Sequence, residues 1–313
     1  MTLIEQTHLE DGSYERFLAS IDAERLQDAQ RRFWRLPLHE LDVAEIEHSL
    51  FESLGGHNGL EPVLPHRIEL FETGTKIFRG RAVDKSLTDI QQLTFCATAG
   101  EYYAAPAALS REGRFNSEGE SVFYGSVQPY PVADELSIGV GDRLIIGAFE
   151  TKRDLRFIQI VPNFIFDSLD PTLRLIAKVQ LGFIERIVTV PHGKSSGHAY
   201  RLAHHLTRSY FPLSHFHVDG WVFPSAFDSS QNNVAFPGQY GEDFLQLTHS
   251  GLFKFEATGL RLRSAIPYAL FRYEPSKATG IQLLPEELAI PELIRVFGGQ
   301  TGPLDPASTS DRK

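Results

Sequence analysis

The chain has 313 residues, 42% hydrophobic and 22% charged, with a formal net charge of −10 at pH 7. These are the values of a globular protein long enough to bury a full core, and the excess of acid excludes a nucleic-acid binder held by a basic face. Cys96 is the single cysteine, which excludes an intrachain disulfide and a cysteine-based zinc site and fits a reducing cytoplasm.

In chain order, "MTLIEQTHLEDGSYERF" has no basic region followed by an apolar run, and no uncharged apolar stretch is long enough for a bilayer. The expectation is a cytoplasmic, unprocessed protein with no membrane and no nucleic acid among its partners. Tyr14, Phe17, Leu18, Ile21 and Leu26 stand at helical spacings within residues 14–34, and Val43, Ile46, Leu50 and Leu54 repeat the pattern before Gly55 and Gly56. This predicts a helical pair. Residues 1–62 carry 13 acids against five arginines, a net of −8, so the acidity of the chain belongs to this segment. "GGHNGLEPVLPH" is a Gly, Asn and Pro cluster that reads as a linker, and a boundary is placed near residue 62.

Strand-like runs follow: "RIELFE", "KIFRGRAV", "SVFYGS", "RLIIGAFE", "RFIQIV", "DGWVFPS", "NNVAFP" and "LFKFEATGLRLRS". Helical candidates fall near Pro131–Ser137, Pro171–Gln180 and His198–Tyr210. Strands dominate with helices between them, which predicts an α+β protein with a mixed or antiparallel sheet. The organisation expected is an acidic helical extension over 1–62, a main domain over 63–275, and a C-terminal segment over 276–313 whose "GGQTGPLDPASTSDRK" has the composition of a disordered end.

Four pieces concentrate chemistry-bearing residues: "IFRGR" (Ile77 to Arg81), "GRFN" (Gly113 to Asn116), "VFYGSVQPYPVADE" (Val122 to Glu135) and "DGWVFPSAFDSSQNNVAF" (Asp219 to Phe236). Taken in order they resemble the RES domain family over roughly residues 73–240. That resemblance implies an ADP-ribosyltransferase-like core that takes NAD as its substrate and cleaves it, often as the toxin of a toxin–antitoxin pair with a protein antitoxin as partner. Carried over by position, it puts the family's Arg on Arg79, its Tyr on Tyr124, its Glu on Glu135 and its Ser on Ser225.

The residue types suit that chemistry. Loss of nicotinamide from the ribose builds positive charge on the sugar, and a fixed carboxylate such as Glu135 opposes it. Arg79 offers a planar fork to a pyrophosphate. Tyr124 offers an aromatic face and a hydroxyl, Ser225 a donor to a phosphate or the carboxamide, and Arg114 and Asn116 line the mouth or hold the loop. Arg81 shares a strand face with Arg79 and is an equal candidate by spacing. Tyr124 taken alone reads as core, and Ser229 and Ser230 compete with Ser225.

The expected function is NAD glycohydrolase or phosphorylase activity in a growth-arresting toxin. The alternatives are ADP-ribosyl transfer to a protein and a non-catalytic nucleotide-binding or interaction module. Walker, GxGxxG and GxSxG motifs are absent. His204 and His205 on a candidate helix, and His215 and His217 on a candidate strand, form no HExxH pattern, so no metal is expected. Oligomeric state is not legible.

Overall fold

The computed structural model describes residues 4–5, 12–38, 40–84, 86–129, 132, 135–136, 138, 141–161, 169–189, 197–227, 231–258, 261–273 and 278–283. Residues 284–313, and with them the expected disordered end, lie outside that set.

The N-terminal periodicity resolves into α1 (Ser13–Ser20), α2 (Ala23–Phe33) and α3 (Val43–Ser53). The single helix expected over 14–34 is two, because Ile21 is extended and the Asp22 side chain accepts from Arg25 N to start a new helix. Asp42 and Glu45 form a capping box at the head of α3. Two longer helices follow the midpoint of the chain, α5 (Pro171–Val188) and α6 (Gly197–Tyr210). Between them in sequence and the N-terminal group lies α4 (Asp89–Ala97). The sequence reading passed over α4, although Thr88 and Gln91 form a capping box there. Among the described residues, no helix is long and apolar enough to cross a membrane.

The architecture is α+β, and among the described residues 11 strands form one mostly antiparallel sheet ordered β1-β2-β6-β7-β8-β4-β3-β5-β9-β10-β11. The strands are β1 (Ile4–Glu5), β2 (Arg67–Phe71), β3 (Lys76–Val83), β4 (Val122–Ser126), β5 (Arg143–Thr151), β6 (Leu155–Gln159), β7 (Gly220–Pro224), β8 (Asn232–Pro237), β9 (Leu245–Thr258), β10 (Arg261–Tyr273) and β11 (Ala278–Leu283). Among the described residues, β6 and β7 alone pair in parallel. The run "LFKFEATGLRLRS", expected as one strand, spans the facing ends of β9 and β10, which pair antiparallel. His215 and His217 are not on a strand. His215 sits in a one-turn helix (Leu213–Phe216) begun by Pro212, and His217 takes a left-handed φ of 50° that turns the chain toward β7.

Alternation along the strands builds two cores. One face carries Ile158, Trp221, Phe223 and Ala235 and packs under α1–α3, α5 and α6. The other carries Phe123, Phe157, Val222, Val234 and Phe236. The helices of 1–62 therefore share one apolar core with α5 and the sheet. Tyr14 Oη donates to Gln180 Oε1 at 3.0 Å, and Gln180 Nε2 donates to the Leu54 carbonyl at 2.7 Å. Phe33 packs edge-on to Phe183 with centroids 5.1 Å apart.

One irregularity positions the site. β3 runs with β5 through eight residue pairs from Lys76 to Val83, and β4 runs with β8 through five, but β3 and β4 meet at the single pair Phe78↔Ser126. Past that point the two halves of the sheet diverge.

Candidate functional site

A pocket of roughly 350 Å³ opens at this divergence, lined among others by Arg79, Arg114, Asn116, Tyr124, Glu135 and Asn233. Its volume falls in the range of small-molecule sites. By strand alternation Arg79 shares the face of buried Ile77, yet its guanidinium crosses the Phe123 ring at 5.0 Å and donates from Nη1 to the Tyr124 carbonyl at 2.9 Å. It thus enters the pocket from between the strands. No carboxylate among the described residues lies within ion-pair distance of it. Burial, and next the nearby Arg81 charge, lower its pKa to about 10. The guanidinium is therefore still protonated at neutral pH, with most of its five N–H donors uncommitted, which is the electrostatics of an anion subsite.

Arg81 goes elsewhere. Its side chain is 49% exposed, paired with Glu101 and set over the Phe95 ring at 5.2 Å.

The "GRFN" loop forms the facing wall, closed by an antiparallel bridge between Gly113 and Asn116. Asn116 Nδ2 donates toward the carbonyls of Arg111, Ser117 and Glu120 at 2.8, 2.9 and 3.1 Å, which ties the loop to itself. Tyr124 Oη donates to Asn116 Oδ1 at 2.8 Å and accepts from Phe115 N at 2.9 Å. Burial raises the Tyr124 pKa, so the phenol stays a donor. A Cβ on Gly113 would lie 2.5 Å from Asn116 Oδ1 and 2.7 Å from Tyr124 Oη, so this knot requires glycine there.

Glu135 is supported from below by another close approach. Val132 and Glu135 are helical, with Leu136 N bonded to the Val132 carbonyl at 3.3 Å. A Cβ on Gly80 of β3 would stand 2.0 Å from Val132 Cγ1, so this turn sits directly on the glycine. Oε1 of Glu135 accepts from Ser225 Oγ at 2.7 Å, Asn233 Nδ2 at 2.8 Å and Ala226 N at 3.2 Å. Oε2 has Arg114 Nη1 at 3.7 Å.

Arg79, Arg114, Asn116, Tyr124 and Glu135 are thus brought together around one cavity, whereas Arg81 and Ser225 are absent from its lining. Ser225 is buried, and its hydroxyl hydrogen is used on Glu135 rather than held out for a phosphate or carboxamide. Ser229 and Ser230 lie outside the described residues.

Sequence reasoning missed Asn233, Arg111, Ser126 and Tyr200, all of which line the pocket. Asn233 had a signal, as one of two amides that open the otherwise apolar strand run "NNVAFP". Tyr200 had none, since α6 packing alone delivers it.

No family model matches this chain, and no curated protein does. Among solved structures it is similar to a chain of the M.tuberculosis MbcT-MbcA toxin–antitoxin complex, at 9% identity over 71% of this chain and 90% of that one, with a TM-score of 0.29. A TM-score of that size does not establish a shared fold.

Proposed function

We propose that the pocket binds NAD and breaks the bond between nicotinamide and ribose. The observation that carries this reading is the presence in one pocket of Glu135, a carboxylate held through one oxygen by three donors, and Arg79, a half-buried guanidinium that has no carboxylate partner among the described residues. The first is suited to oppose a developing cation and the second to hold an anionic group of the same molecule. In the reaction the C–N bond electrons leave with the nicotinamide ring nitrogen, which becomes neutral, and the ribose carbon becomes electron-poor. Glu135 stabilises that charge without being consumed. Attack by water or phosphate, with loss of its proton, completes glycohydrolase or phosphorylase turnover.

The ordered motifs extend the proposal to an ADP-ribosyltransferase-like core in a growth-arresting toxin restrained by a protein antitoxin. The experiment is direct. Purified protein incubated with NAD, with and without phosphate, should release free nicotinamide, and Glu135→Gln should bind NAD while losing on the order of 10² or more in kcat. A folded wild-type sample that releases no nicotinamide under either condition overturns the reading.

A further inference from the structure

Asn233 is buried, 6% exposed, on β8 between Phe223 of β7 and Ser126 of β4. Asparagine is a poor strand residue, and burying its amide costs free energy unless the hydrogen bonds are replaced. The neighbours on this strand, Val234, Ala235 and Phe236, are the apolar residues expected there. Among the described residues, the side-chain bond that compensates Asn233 is the 2.8 Å donation from Nδ2 to Glu135 Oε1.

That bond is one of three on the same oxygen, the others coming from Ser225 Oγ and Ala226 N. A carboxylate oxygen has two lone pairs, so Oε1 is saturated. Oε2 has Arg114 Nη1 at 3.7 Å, beyond hydrogen-bond reach, and keeps its lone pairs for the pocket. Asn233 is the only one of the three donor residues that lines the cavity.

We infer that Asn233 is a positioning residue that fixes the rotation of the Glu135 carboxylate, so that Oε2 alone is presented to substrate. This rests on reading the pocket as the NAD-cleaving site. Ser225 and Ala226 N grip Oε1 from the segment after β7, and Asn233 grips it from β8. The segment after β7 and strand β8 therefore hold Oε1 from two sides and together set the carboxylate plane.

The test compares wild type with Asn233→Leu, which fills the space without the donor, and Asn233→Ala. Nicotinamide release should fall about ten- to a hundred-fold in kcat, the scale of a misplaced reacting group. KM for NAD should stay within about three-fold, and the thermal midpoint of the Leu variant should stay near wild type, a split that lost packing would not produce. Crystal structures of wild type and the Leu variant supply a readout independent of turnover, in which the carboxylate should rotate about its Cγ–Cδ bond. An unchanged kcat, or an Oε1 still in place on Ser225, overturns the assignment. If wild type releases no nicotinamide, the NAD reading falls by itself and the two crystal structures still decide the role of Asn233.

Discussion

Arg79 and Arg81 stand two positions apart on β3, both beyond its single pair with β4, and meet different partners. Arg81 has its carboxylate, Glu101, and Arg79 has, among the described residues, the Tyr124 carbonyl and no carboxylate. Arg79→Lys keeps a charge and gives up the fork, and a lost charge-assisted bond in a shielded site costs about 1.5–3 kcal/mol. NAD affinity measured by calorimetry should fall roughly ten-fold or more in Arg79→Lys and change little in Arg81→Lys. The reverse pattern would move the phosphate contact to Arg81. Spacing alone left these two residues equal, since period-two alternation puts both on one face. What separates them is the group each one reaches, the Tyr124 carbonyl 45 positions along the chain for Arg79 and Glu101 20 positions along for Arg81. Glu135 was legible through its motif, but its clamp was not. The three donors to Oε1 come from residues 90, 91 and 98 positions away.

At the scale of elements, the pocket wall depends on α6. Arg208 Nη2 donates to Glu120 Oε1 at 2.7 Å, His204 Nε2 lies 3.6 Å from Glu120 Oε2, and Arg208 Nε donates to His204 Nε2 at 3.2 Å. These contacts hold the loop that carries Arg114 and Asn116 against the helix. Burial, then Arg208, lowers the His204 pKa against the opposing pull of Glu120, and burial likewise lowers that of His205 despite Glu47. Below the ordinary value of 6.5 the unfolded chain takes up these protons before the folded one does. The stability they contribute is therefore present above that pH and is lost as pH falls through the lowered folded values. Thermal midpoints at pH 7.5 and 5.5 should drop further for wild type than for the His204→Gln/His205→Gln variant, by a difference on the order of a few degrees. Equal drops would show that neither imidazole is linked to folding. The existence of α6 could be read from its apolar period, as could most strands from theirs. The break between α1 and α2 and the presence of α4 were written in caps, at Asp22 and at Thr88 with Gln91, a weaker signal than periodicity because one side-chain bond decides it.

Across the whole molecule, the acidic segment 1–62 looks in sequence like an appendage, because its charge and helical period differ from the strand-rich remainder. Its buried side does not behave as one. Phe33 and Trp34 enclose Phe183 of α5 with centroids 5.1 and 5.5 Å away, Arg186 lies 4.1 Å over the Trp34 ring, and Gln180 is fully buried between Tyr14 and the Leu54 carbonyl. Charge composition reports the solvent face of a helix and is silent about what its other face covers. Deleting residues 1–62 would uncover Phe183 and the core that α5 shares with those helices, and strip Gln180 of two partners. Each large apolar side chain returned to water costs about 1.5–3 kcal/mol, and each buried polar group deprived of its partner costs about 1–3 kcal/mol. A few such losses match the whole stability of a typical domain, about 5–15 kcal/mol. The chain from 63 onward should therefore lose its cooperative thermal transition, bind an apolar dye and aggregate, measured by calorimetry, dye fluorescence and gel filtration. A soluble 63–313 fragment that melts cooperatively within a few degrees of the full chain would show instead that α5 and the sheet hold together without the N-terminal helices.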